Sequence, residues 1–220
     1  MNIPQQVTDS LKTIEQFILS LETTTTPTPS VDPAPSPVIP GHTVIENAPY
    51  SVTTRATMWG LNWDGSNDTG DLDSSYPDGN SRGFFTDPST GKPYETHNQQ
   101  LIGASLPREV LLSTFLGVDS WQTDGITAIW GHYSSDLRAW SLQHKPTLTI
   151  DSAAKYTLSG VVIADAGPTA STHNGLDLTY ASGHALNTFG AALCTYRIEV
   201  AGKVLTIRGW DLVNRRVIGS

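Results

Sequence analysis

The stretch that decides the fold is GVVIADAGPTASTHNGLDLTYASGHALN, residues 160–187. It opens on an apolar, β-branched run, Val161 to Ala164, that reads as a buried strand. The run stops at Asp165, and Gly167-Pro168 then forces a turn. A short polar loop follows. Leu176-Asp177-Leu178-Thr179 next leads into 178–187, where small residues and spaced apolar positions predict a short helix. A strand that ends in a carboxylate, a Gly-Pro turn and a second carboxylate at a helix start together make a distinctive unit. Asp165, at the end of an apolar strand, is the carboxyl group that burial would most perturb. Its structural alternative is to accept backbone N–H bonds in the turn that follows. Asp177 has a structural alternative too, as the N-cap of the helix.

Outward from this unit, short β-branched or alternating runs lie at 51–58, 126–130, 147–150, 156–164, 194–200 and 203–208, most of them bounded by turn residues. Only 107–116, beginning at Pro107, joins 178–187 as helical. Strands with few helices over residues 46–220 predict an all-β fold closed into a compact barrel. Composition agrees. The 220 residues hold 19 Gly, 14 Pro and 27 Thr, with only 15% charged residues, which does not fit a helical bundle. Six Trp, seven Tyr and five Phe are enough aromatics to build a core, so the chain is not wholly disordered.

The first 45 residues read differently. Leu11, Ile14, Phe17, Ile18 and Leu21 fall at helical spacing and predict an amphipathic helix over 8–22, within a segment 1–22. Alone it is too short to be stable in water, so it either packs on its own domain or docks by self-association or on a protein partner. Residues 1–22 show no basic stretch before an apolar block and no small-residue cleavage site, so no signal peptide is expected. Residues 23–40 carry six prolines among Thr and Ser and predict a stiff, extended Pro/Thr-rich linker over 23–45. At ~3.1 Å per residue it reaches roughly 50 Å. Helix, tether and barrel make a delivery layout.

Several function classes drop out. A net charge of −8 argues against nucleic-acid binding. No apolar run is long enough for a membrane span. The single Cys194 and the six scattered His give no metal-binding spacing, and no nucleotide or serine-hydrolase motif occurs, so neither a metal nor a cofactor is expected. Residues 61–90 hold Asp64, Asp68, Asp71, Asp73, Asp78 and Asp87 against Arg82 alone. This reads as a long functional surface loop. Its oxygen-rich run from Asp64 to Asp73 suggests calcium but fails the EF-hand pattern.

The run 160–187 resembles the double-psi β-barrel of the rare lipoprotein A family and its relatives, the expansins and barrel-type endoglucanases. Asp165, Gly167 and Pro168 match that family's Asp-Arg-Gly-Pro. Asp177, Leu178, Thr179, Ala181 and Leu186 match its Ile-Asp-Leu-Ser helix. Ala56, Thr57, Trp59 and Gly60 look like its opening strand, Ala104, Leu106 and Pro107 like its middle segment, and 194–208 like its closing strands. Two features depart from the pattern. The family's Arg is Ala166 here, and its catalytic Glu position falls on Lys92, with Glu95 three residues on. The insert 117–155 is also longer than in a minimal member. The resemblance implies a six-stranded double-psi barrel with short helices. It further implies cleavage or binding of a cell-wall polysaccharide, peptidoglycan, by a lytic transglycosylase-like reaction.

In that reading Asp165 is the acid/base, with Asp177 and Glu95 as candidate further carboxylates. Trp59, Trp63, Tyr76 and His173 are candidate sugar contacts, since flat rings suit the apolar faces of sugars. The competing expectation is a non-catalytic carbohydrate-binding or structural module. The layout, with no export signal, suggests an extracellular or virion-associated protein, such as one attached to a phage tail or capsid.

Overall fold

The computed structural model describes residues 49–58, 82–96, 98, 100–168, 174–188, 192–211 and 216–217. The predicted helix 8–22, the linker, the 64–73 run, Trp59, Trp63, Tyr76 and His173 lie outside the described residues.

Six strands close on themselves: β1 (Val52–Met58), β4 (Gly103–Leu106), β5 (Thr147–Ser152), β6 (Thr157–Ala166), β7 (Asn174–Leu178) and β8 (Ala192–Val200). Their order is β1-β7-β4-β6-β5-β8, and β1 pairs again with β8 to complete the barrel. The barrel is mixed. β1 with β7 and β4 with β6 run parallel, and the other four pairs are antiparallel. β9 (Lys203–Val204) extends β8 as a hairpin. Two small ribbons stand apart: β2 (Arg82–Thr86) with β3 (Pro93–Glu95), and β10 (Trp210–Asp211) with β11 (Arg216–Val217).

Alternation along the strands builds the interior. Val52, Ala56, Leu148, Ile150, Val161, Ile163, Leu176, Leu178, Tyr196 and Ile198 are all 2% exposed or less. Cys194 joins them on β8. Burial pushes its thiol up to about 11, so only on the order of a thousandth is thiolate at pH 8. Labelling with an aromatic disulfide reagent at pH 8 is therefore expected to be negligible in the native protein and immediate in denaturant. Fast labelling of the native protein would contradict the buried placement.

Helices cover one side of the barrel. After β4, Pro107 leads into α1 (Arg108–Leu111), which runs on into a π-helical turn, Leu112–Leu116, ended by Gly117 in the left-handed region. Then come α2 (Trp121–Asp124) and α3 (Ile126–His144). Phe115 stacks on Trp140 of α3 with centroids 4.4 Å apart, and Trp121 Nε1 donates to Ser113 Oγ at 2.9 Å. These two tryptophans are core residues. The buried Arg208 is anchored here as well: it pairs with Asp119 at 2.5 Å, and its backbone N–H donates to Thr114 Oγ1.

The 126–130 run, read from sequence as a strand, is instead the first turn of this 19-residue helix. Over five residues its β-branched content imitates a strand. Over the whole span, Ile126, Ile129, Trp130, Tyr133, Leu137 and Trp140 repeat every three to four residues. The 203–208 strand is also shorter than expected, ending at Val204. The second predicted helix is α4 (Tyr180–Ala185).

Candidate active site

Strand register builds the site. Ser105 on β4 pairs with Asp165 on β6 and, across its other edge, with Asp177 on β7. Asp177 in turn pairs with Thr57 on β1. Thr57, Asp177, Ser105 and Asp165 thus form one row across four neighbouring strands. The adjoining positions, Ala56, Leu176, Leu178, Ala104 and Leu106, belong to the core. The row therefore lies on the outer face, because successive side chains alternate across a strand. A bulge makes this possible. Ala104 pairs with Ile163 but Ser105 with Asp165, so Ala164 is skipped and Asp165 turns outward. Two ladder spacings of ~4.8 Å place the Asp165 and Asp177 backbones about 10 Å apart.

The β2–β3 hairpin lies against this end of β6 and holds Asp165. The carboxylate Oδ1 accepts the Phe84 N–H at 2.9 Å and the Ala166 N–H at 2.7 Å. Gly83 makes the approach possible, because a Cβ there would overlap the Ala164 carbonyl oxygen. Asp165 is half-buried, and that burial raises its pKa. The two backbone N–H bonds and the nearby Arg108 guanidinium oppose the rise. Oδ2 accepts no hydrogen bond among the described residues. The result is a carboxyl group fixed by one oxygen, its proton held more tightly than that of an exposed aspartate.

Asp177 accepts a hydrogen bond from Thr57 Oγ1 at 2.8 Å. It is the fourth residue of β7 and does not cap the helix. The N-cap of α4 is Thr179, whose hydroxyl accepts the Ser182 N–H. This hydroxyl is fully buried and also ties the helix to β4. It accepts the Gly103 N–H at 3.2 Å and donates to the Leu101 carbonyl at 2.6 Å, while Ser182 Oγ donates to the Gly103 carbonyl at 2.8 Å. The Leu-Asp-Leu-Thr segment therefore divides its labour: the Asp faces the site and the Thr locks it.

Glu95 is exposed on β3 opposite Arg82. It lines an open depression of about 450 Å³ with Asp87, Lys92 and Asn98, which neither Asp165 nor Asp177 lines. The structure thus joins Asp165 and Asp177 in one row and leaves Glu95 out of it. Sequence reasoning missed Ser105, a serine in a four-residue strand without a motif of its own. It also missed Arg108, which reads simply as the first residue after a helix-starting proline.

Beside Asp165 rises an aromatic wall. Phe84 and Trp130 have centroids 4.6 Å apart. The Arg108 guanidinium lies 4.8 Å from the Trp130 ring, and that of Arg138 lies 4.4 Å from the Phe84 ring. No group of His, Cys, Asp and Glu suited to a metal ion occurs among the described residues. None of the described helices is long and apolar enough to cross a membrane. No protein-family model matches the chain, and no curated protein matches it.

Proposed function

We propose that this is a double-psi barrel that acts on cell-wall polysaccharide, peptidoglycan, with Asp165 as the acid/base. The observation that carries the reading is the state of Asp165: half-buried, anchored through Oδ1, with no hydrogen bond to Oδ2 among the described residues, and raised in pKa. In the lytic transglycosylase reaction, protonated Asp165 gives its proton to the glycosidic oxygen, and the C1–O bond breaks. The resulting carboxylate takes the proton of the same sugar's C6 hydroxyl, whose oxygen closes on C1. One bond is broken and one formed, and the proton returns to Asp165. Neither water nor a second catalytic carboxylate is needed. This suits a site whose other acid, Asp177, is bonded to Thr57. The barrel's order, with two parallel pairs among four antiparallel ones, supports the double-psi assignment.

A second reading is a binding module. It is favoured by the Phe84 N–H bond, which makes Asp165 the clasp of the β2–β3 hairpin. In both readings the segment 1–45, with its predicted helix and linker, attaches the barrel to a larger assembly, a virion in the reading we favour. The test is digestion of purified peptidoglycan by the wild type and by Asp165→Ala, read by mass spectrometry. Anhydro-muropeptides formed by the wild type and lost in the variant are expected. Reducing-end products lost in the variant would mean hydrolysis and a role for Asp177. No product from the wild type, with wall pull-down retained, would leave the binding module.

A further inference from the structure

The wall beside Asp165 holds two ring-stacked cations. Arg138 is exposed on α3, Arg108 is half-buried at the start of α1, and the half-buried Phe84–Trp130 pair lies between them. The order is Arg138, Phe84, Trp130, Arg108. Among the described residues, neither guanidinium makes an ion pair. Arg197 by contrast pairs with Asp151, and Arg208 with Asp119. Stacking on a ring fixes a guanidinium plane while leaving its N–H edge free, and that edge matches a carboxylate in a two-pronged fashion. In a chain of net charge −8, two ring-stacked cations beside Asp165, neither with an ion pair among the described residues, are out of keeping with a surface that only needs solubility.

We propose that this ladder is a subsite for a carboxylate carried by the glycan. The substrate class is then an acidic, carboxylate-bearing saccharide rather than a neutral one, with Arg138 as the specificity-determining residue. The inference rests on the polysaccharide reading of the Asp165 site. The rings hold the two guanidinium planes, and the arginine edges take the acid substituent of the sugar.

The test is binding of the full chain to two glycan oligomers of equal length by calorimetry. One is a neutral N-acetylglucosamine oligomer, and the other alternates N-acetylglucosamine with muramic acid bearing its free lactyl carboxylate. About tenfold tighter binding of the carboxylated glycan is expected, falling as salt rises. Arg138→Gln should remove most of that preference and leave neutral-glycan affinity within about twofold. Arg138→Lys should restore only part of it, because the ammonium keeps the charge but not the fork. Equal binding of the two glycans, or a preference unchanged in Arg138→Gln, would overturn the subsite while leaving the polysaccharide reading intact. No binding of either oligomer would overturn that reading and the subsite with it.

Discussion

Asp165→Asn is expected to lower turnover on peptidoglycan about a thousandfold, within the range that general acid–base catalysis supplies, while leaving the barrel folded. The amide keeps an Oδ1 that accepts the Phe84 and Ala166 N–H groups but has no proton to give. Asp165→Ala would remove the clasp as well, so asparagine separates chemistry from structure. A folded Asp165→Asn protein with wild-type turnover would sink the acid/base role.

The pH dependence has a defined sign. The ordinary value is 3.8, and burial raises it in the folded protein. The acid step needs the protonated form, so wild-type kcat/KM falls as pH rises through a pKa above 3.8. Stability follows the same group. A raised folded-state pKa means the native protein binds the proton more tightly than the unfolded chain. The stability this confers is fully present below pH 3.8 and is lost as pH rises through the folded-state pKa. Denaturant titrations across that window are expected to show a larger loss in the wild type than in Asp165→Asn, where the buried Glu109, whose pKa is also raised by burial, still titrates in the same direction.

Thr179→Val has the largest expected effect on stability, about 3 kcal/mol. Valine fills the same space but removes the hydroxyl. The Ser182 N–H loses its cap, which is worth about 1 kcal/mol. The Gly103 N–H and the Leu101 carbonyl lose buried partners, at about 1 kcal/mol or more each. For a domain of this size the midpoint of thermal unfolding should fall by roughly 10 °C. Thr179→Ser keeps the hydroxyl and should recover most of the loss. A Thr179→Val protein as stable as the wild type would show that the hydroxyl's bonds to Ser182, Gly103 and Leu101 do not hold the helix in place.

The legible part of the fold was the part written in local pattern. β1, β5, β6 and β8 each alternate or run apolar over enough residues to be read. α3 was not read, because its opening Ile-Thr-Ala-Ile-Trp is strand-like and its period emerges only across the next ten residues. Asp165 and Asp177 were legible as carboxylates beside turn and helix signals. Their relation to each other was not. Thr57, Ser105, Asp165 and Asp177 are brought together by register and by one bulge at Ala164, and neither leaves a trace in residue spacing. The aromatic wall was not legible: Trp130 lay in a run that reads as a strand, and its partners Phe84, Arg108 and Arg138 come from a hairpin and two separate helices.

The seam of the barrel also bears on how the protein is made. Thr53 meets Thr195 across it, 142 residues apart in sequence. A ribosome adding 5–20 residues per second needs roughly 7–30 s to travel that distance. For most of that time β1 exists without β7 or β8 to pair with. Its outward residues, Thr53 and Arg55, are polar and charged, and charge on an unpaired strand edge discourages pairing between nascent chains. The composition of β1 thus serves two moments: a sealed barrel at the end, and a waiting edge before its partners exist.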